Sequence, residues 1–376
     1  MRIGIDYTAA VRQHAGIGRY TRELVAALAK LDHSNSYILF SAGRPERTTW
    51  PKNFRLRSLP LSDRHLAILW QRLRLPLPIE CFLGKIDLYH SPDFVLPPVL
   101  CARTLLTVHD LSFLRHPECF PAPLLEYLTQ AVPRSVQRAD LILADSQSTR
   151  QDIIELLHIP PERVAVIYAG VDPRFQPSRQ DPSAEKVLQR YNIPRPYLLG
   201  LGTLQPRKNF ARLIKAYHLL RQRWHIPHHL VIGGTRGWLD EEIDQTIQEL
   251  DLTQEVHLIG FVADEDLPIL YSMADLFVFP SLYEGFGIPV LEAMACGTPV
   301  VTSSTSSLPE VAGEAALLVP PTDVEALAEA MAKLLEDEEL RADLQRKGFL
   351  QIKRFTWRKA AQKLLQIYDD LGGKND

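Results

Sequence analysis

The stretch that decides the fold is DLFVFPSLYEGFGIPVLEAMACGTPVVTS, Asp275 to Ser303. DLFVFPS reads as a strand buried on both faces, and TPVVTS reads as another. Between them lies a helix. Pro289 suits its first turn, and Gly297 suits the position just past its end. Glu284-Gly285-Phe286-Gly287-Ile288 is therefore a strand-to-helix loop. Its amides lead into a helix N-terminus, where orphan N–H groups and the helix dipole favour a phosphate. Glycines let the backbone approach a ligand closely. Glu284 and Glu292 bracket this loop, and carboxylates suit sugar hydroxyls because they accept two hydrogen bonds from a vicinal diol. The plainer alternative is that Glu292 complements the helix dipole and the glycines only make a turn.

The same alternation runs outward in both directions. RIGID, YILF, IDLYH, TLLTVHD, DLILADS and VAVIYAG come first, and YLLGLG, HLVIGG, EVHLIGF, DLFVFPS, TPVVTS and AALLVP follow. Helical segments such as GRYTRELVAALAKL and FARLIKAYHLLRQR separate many of them. Strand–helix alternation predicts an α/β protein with parallel sheets covered on both faces. At 376 residues the chain fits two domains. The Pro-, Asp- and Arg-rich segment 171–186 reads as the linker. The expected layout is an N-terminal Rossmann-like domain over 1–178, a C-terminal one over 187–355, and a last helical segment, 356–376, free to cross back. Two such domains facing one cleft would present the carboxyl ends of both sheets to a ligand.

Composition narrows the function. Hydrophobic residues are 46% and charged residues 23%, with a net charge of −3, so nucleic acid is not an expected partner. Residues 1–180 carry 22 Lys and Arg against 17 Asp and Glu, whereas 181–376 carry 20 against 28. An anionic acceptor or surface suits the first half better. Cys81, Cys101, Cys119 and Cys296 lack metal-ligand spacing. MRIGIDY is a strand rather than a signal peptide, and no apolar run approaches the ~20 residues that span a bilayer. A cytoplasmic protein is expected.

Further residues carry chemistry. Arg207 and Lys208 in GTLQPRKN follow a strand and suit a leaving diphosphate. The alternative is a solvated basic turn. GIGRYT, residues 16–21, opens a helix, but Thr21 stands where a dinucleotide fingerprint needs its third glycine. That counts against an NAD-dependent dehydrogenase. His109 ends the strand TLLTVHD; a lone histidine there is structural or functional. Asp264-Glu265-Asp266 has the form of a D-x-D metal motif, but Asp264 reads better as the cap of LPILYSMA. No metal or other cofactor is expected. In SDRHLAILWQRLRLPLPI, residues 62–79, Leu66, Leu69, Trp70 and Leu73 fall at helical spacing beside Arg64, Arg72 and Arg74. This is either a peripheral contact with anionic lipid or a lipid-diphosphate acceptor, or a core-facing helix with solvated arginines.

The loop with its E-x7-E spacing, together with GTLQPRKN, resembles glycosyltransferase family 4, retaining enzymes of the GT-B fold. GIGRYTREL, TVHDLSFLRHPECF, ADLILADSQSTRQDIIELL, VIYAGVDPRF and LPEVAGEAALLV extend the resemblance over nearly the whole chain, and the PRKN form resembles bacterial mannosyltransferases of surface-polysaccharide assembly. The resemblance implies a nucleotide-sugar donor, GDP-mannose first and a UDP-sugar as the alternative, and a glycan or lipid-linked acceptor at the inner face of the membrane. It implies that Glu292 holds the donor ribose, that Glu284, Gly285, Phe286, Gly287 and Ile288 face the donor sugar, and that Lys208 holds the diphosphate. Gly16 would meet the diphosphate from the opposite domain, Phe261 and Val262 would line the base, and His109 would lie by donor sugar and acceptor. Many family members have an arginine where this chain has Thr203, a charge that Arg207 is placed to supply. A catalytically silent GT-B subunit is the rival from another class, disfavoured by the intact His109, Lys208, Glu284 and Glu292.

Overall fold

The computed structural model describes residues 1–13, 16–43, 49–60, 62, 65, 66, 68–73 and 75–373. It contains two all-parallel sheets. The first has β1 (Arg2–Asp6), β2 (Ser36–Ala42), β3 (Phe54–Leu59), β4 (Leu88–Ser91), β5 (Arg103–Val108), β6 (Leu141–Ala144) and β7 (Val164–Val166), in the order β3-β2-β1-β4-β5-β6-β7. The second has β8 (Tyr197–Leu201), β9 (His229–Gly233), β10 (Val256–Gly260), β11 (Leu276–Phe279), β12 (Val300–Ser303) and β13 (Leu317–Val319), in the order β10-β9-β8-β11-β12-β13. Leu105, Leu106, Ile142, Leu143, Leu198, Leu199, Phe277 and Val278 have no exposed surface, which is why their strands read as continuous apolar runs.

Among the described residues, sequence reading finds every strand but β3. That edge strand pairs with β2 alone, and Arg55, Leu56 and Arg57 are exposed, so it carries no apolar run. Charge along an exposed edge hinders pairing with another chain. Its anchor is Phe54, stacked on Tyr37 at 4.2 Å.

Strand order reverses between β1 and β4 in one sheet and between β8 and β11 in the other. Open α/β sheets bind ligands at the carboxyl ends beside such a reversal. GTLQPRKN leaves the end of β8 and PSLYEGFG leaves the end of β11, so both segments stand at the reversal of the second sheet.

The chain divides into two compact units. One comprises Met1–Leu114, Leu125–Gly170 and the segment from Thr356 onward; the other comprises Arg115–Leu124 and Val171–Phe355. The expected linker is thus folded into the second unit. Phe175 is buried against the Tyr271 ring, the Ser178 amide donates to Ser272 Oγ at 3.0 Å, and Arg179 Nε donates to the Ser272 carbonyl at 2.7 Å. Arg115–Leu124, read as N-terminal in sequence, is held there too: Trp238 Nε1 donates to the Cys119 carbonyl at 2.7 Å, and the Phe120 and Trp238 rings lie 6.0 Å apart.

The helix Trp357–Gly372 belongs to the first unit. Thr356 caps it by accepting from the Lys359 amide, and Tyr368 Oη lies 2.8 Å from His90 Nδ1 on β4. Gly170 meets its start so closely that a Cβ there would stand 2.1 Å from the Trp357 nitrogen.

Within the segment 62–79 the described residues 65, 66 and 68–72 are helical, with Leu66 buried and Leu73 61% exposed. Trp70 instead packs near Phe40 and Phe82 and donates from Nε1 to the Leu77 carbonyl at 2.9 Å. Arg64 and Arg74 lie outside the described residues. Among the described residues no helix is long and apolar enough to cross a membrane.

Candidate functional site

In the second unit the loop after β11 is built around a buried ion triad. Glu284 is 7% exposed. Its Oε2 accepts from Arg207 at 2.9 Å, and its Oε1 accepts from Lys208 Nζ at 2.6 Å. Burial raises the Glu284 pKa, but Arg207 and then Lys208 outweigh it and hold the carboxyl down at about 2. Arg207 also donates to the Tyr283 carbonyl at 2.6 Å, which fixes the two loops to each other. Lys208 Nζ lies 4.9 Å from the centre of the Phe279 ring. Its stem passes Gly202, where a Cβ would sit 3.4 Å from Lys208 Cδ and Cε on a backbone with φ 153°. The triad carries one net positive charge, with two cations gathered on one carboxylate.

The helix that follows runs over Ile288–Ala295, with Gly287 at its N-cap, Pro289 in its first turn and Gly297 just past its end. Gly287 takes φ 112°, a conformation that favours glycine. Gly285, Phe286 and Gly287 are buried and Ile288 is half-buried. One turn inside, Glu292 is 3% exposed, and its Oε2 accepts from Tyr271 Oη at 2.9 Å. Glu284 and Glu292 therefore differ in kind. The first is bound to two cations, whereas the second accepts from a phenol. Past the end of β10, Phe261 is 55% exposed and Val262 is buried.

Several supporting residues escape sequence reading. Ser306 Oγ accepts from the Glu284 amide at 2.9 Å, and Ser307 Oγ donates to the carbonyls of Glu284 and Phe286. Asn209, in the left-handed region at φ 64°, donates to the carbonyls of Pro280 and Pro321. Tyr271 joins this group through Glu292. The one signal available was the serine-rich run SSTSS before LPEVAG, which reads as an ordinary turn.

The acidic tripeptide is corrected. The helix begins at Leu267, its N-cap is Asp266 rather than Asp264, and no side-chain cap bond forms. Asp266 Oδ2 accepts instead from Arg190 and Tyr191, at 2.6 and 2.7 Å. Among the described residues no three His, Cys, Asp or Glu side chains gather as a metal site.

Gly16 and His109 belong to the first unit. Gly16, at φ 59°, is the N-cap of the helix Ile17–Leu31, and a Cβ there meets nothing within 4 Å. The crowded glycine of GIGRYT is Gly18, whose Cβ would stand 1.9 Å from the Gln13 carbonyl oxygen. Tyr20 on this helix sets its ring edge-on to His109 at 4.9 Å. His109 directly follows β5 and is 8% exposed; its Nδ1 lies 2.6 Å from Asp145 Oδ2 and its Nε2 lies 2.9 Å from the Pro92 carbonyl oxygen.

Two family models match the chain: Glycosyltransferase Family 4 over residues 14–175, and Glycosyl transferases group 1 over residues 184–351. The O-antigen chain mannosyltransferase B of Escherichia coli is 35% identical over 375 residues, covering 94% of this chain and 95% of that protein. Among solved structures, the sucrose-phosphate synthase of Thermosynechococcus elongatus aligns with a TM-score of 0.78 at 22% identity, covering 99% of both chains. Alr3699/HepE of Anabaena in complex with UDP-glucose aligns with a TM-score of 0.74 at 20% identity, covering 98% of this chain and 99% of that one. The protein is a glycosyltransferase of the GT-B fold. It belongs to the family whose N-terminal half is the family 4 domain and whose C-terminal half is the group 1 domain.

Proposed function

We propose that this chain is a retaining mannosyltransferase that moves mannose from GDP-mannose to a growing surface polysaccharide, on a glycan or lipid-linked acceptor. The observation that carries the reading is the buried triad of Glu284, Arg207 and Lys208 at the strand-order reversal, which gathers cations where a diphosphate leaves. Its near-full-length likeness to an O-antigen mannosyltransferase supports mannose as the sugar. In the step, the bond from the sugar C1 to the β-phosphate oxygen breaks and the acceptor oxygen bonds to C1 from the same face. The acceptor proton passes to the departing phosphate. Lys208, Arg207 and the amides entering the helix Ile288–Ala295 stabilise the phosphate charge. Phe261 and Val262 flank the base. The reaction belongs at the cytoplasmic face of the membrane, with segment 62–79 as the contact. The test is nucleoside diphosphate release from GDP-mannose and from UDP-sugars, with and without acceptor, and the anomeric configuration of the product. An inverted product, or turnover with UDP-sugars alone, overturns the reading.

Catalysis is expected to need no divalent metal, since cations and amides handle the diphosphate. Activity should persist in EDTA; loss in EDTA restored by Mn²⁺ contradicts this.

Glu292 is expected to grip the ribose diol of the donor. Hydrogen bonds to a charged group contribute about 1.5–3 kcal/mol, so Glu292→Ala should weaken donor binding by about tenfold or more. A 2′-deoxyribose donor should lose part of the same interaction, and the two losses should not add. Calorimetric titration of both donors against both proteins reads this directly, and full additivity removes Glu292 from the ribose.

A further inference from the structure

We propose that Asp145 is a further positioning residue of the transfer site, holding His109 as an imidazolium that donates from one ring nitrogen to Asp145 and from the other to the Pro92 carbonyl. The inference rests on the reading of His109 as a site residue and changes what that histidine does. It is a fixed cation and anchor, not an acceptor of the substrate proton.

The register of the sheet creates the pair. Val108 at the end of β5 is paired with Ala144 at the end of β6, so the next residues, His109 and Asp145, emerge side by side at the carboxyl edge. Asp145 Oδ2 lies 2.6 Å from Nδ1, at the short end for a charge-assisted bond. The Pro92 oxygen, 2.9 Å from Nε2, belongs to a carbonyl and only accepts, so Nε2 carries a proton. Asp145 is 6% exposed, and its Oδ1 is buried with no hydrogen-bond partner. A buried carboxylate needs a paired charge, and His109 is the cation in contact with it. The ring is boxed by Tyr20 edge-on at 4.9 Å and by Phe94 at 5.5 Å, while the His109 carbonyl accepts from Thr149 Oγ1. Neither nitrogen can take an acceptor proton without breaking a bond already made. What the pair fixes is the turn after β4, at the β1/β4 reversal.

The surrounding groups agree. Burial opposes a charge on His109, but Asp145, with help from Asp93 and the Pro92 carbonyl, lifts its pKa to about 9. Burial pushes the Asp145 carboxyl up, His109 opposes that shift through its charge and hydrogen bond, and Asp110 adds to it. His90, from β4, is pushed down to about 3 by burial and then by His109, so it stays neutral between Tyr368 and Thr107. The Tyr20 phenol is kept protonated by burial and by Asp145.

The experiment is ¹⁵N NMR of the full chain labelled at histidine, with the His109 resonances assigned by their loss in His109→Gln. At pH 7 both ring nitrogens of His109 should be protonated, with titration near pH 9. In Asp145→Asn the ring should be neutral at pH 7. Turnover of that variant should fall by about tenfold at pH 8 and recover toward pH 6, where the wild type stays flat. An unprotonated ring nitrogen in the wild type at pH 7 overturns the proposal, as does a loss in Asp145→Asn that is independent of pH. If Asp145→Asn does not fold, the wild-type spectrum decides. If no transfer is detected with any donor, the functional reading fails while the spectrum still judges the pair.

Discussion

Lys208→Ala is expected to lower turnover by about 10²–10³-fold, the range for removing one stabiliser of a developing oxyanion. The side chain is 12% exposed, stands over the Phe279 ring and is directed at Glu284, so its charge acts with little screening by water. The fold should survive, because Arg207 still satisfies Glu284 and the loop contact through the Tyr283 carbonyl does not involve the lysine. Nucleoside diphosphate release measured alongside thermal unfolding separates the two effects. Near-normal turnover in a folded variant would reduce the basic turn to surface.

Glu284→Ala should behave oppositely, costing stability before ligand is added. Removing one partner of a buried ion pair leaves uncompensated charge and costs about 3–5 kcal/mol, and here two cations lose the same carboxylate. On the proposed function, a nucleoside diphosphate is expected to supply the missing negative charge. Its stabilisation of the variant should therefore exceed its stabilisation of the wild type, where phosphate competes with the resident carboxylate. Equal shifts in Tm would mean that the diphosphate does not reach the triad. The pH dependence gives a second check. The folded-state pKa of about 2 lies below the ordinary value of 4.5, so the carboxylate's contribution is complete above 4.5 and is lost as pH falls toward 2. Wild-type and variant stabilities should converge over that interval.

The sequence exposes those parts of this protein whose cause is local. Parallel strands buried on both faces must be apolar throughout, so twelve of the thirteen strands among the described residues are legible, and β3 escapes because its Arg55 and Arg57 face solvent. Pro289 and Gly297 mark helix ends through backbone geometry alone. What escapes reading is pairing over distance. Asp145 meets His109 across 36 positions, Tyr271 meets Glu292 across 21, and Ser306 supports Glu284 across 22. Composition also misleads: segment 171–186 looks like a free linker because its anchors, Phe175, Ser178 and Arg179, bind the distant residues Tyr271 and Ser272. Asp264 reads as a cap but lies two residues ahead of the N-cap, Asp266, whose carboxylate is bound to Arg190 and Tyr191.

The return of the helix Trp357–Gly372 to the first unit bears on the order of synthesis. The ribosome releases the seven strands of the first sheet long before it makes Tyr368, the residue that occupies His90 Nδ1. Until then that buried imidazole on β4 has no phenol, and the surface that receives Ala360, Ala361 and Leu364 stays uncovered. The nascent first unit is therefore complete only after the whole second unit has emerged. A chain stopped at Phe355 would leave that apolar surface permanently bare and should aggregate, whereas adding the missing helix as a separate peptide should restore solubility.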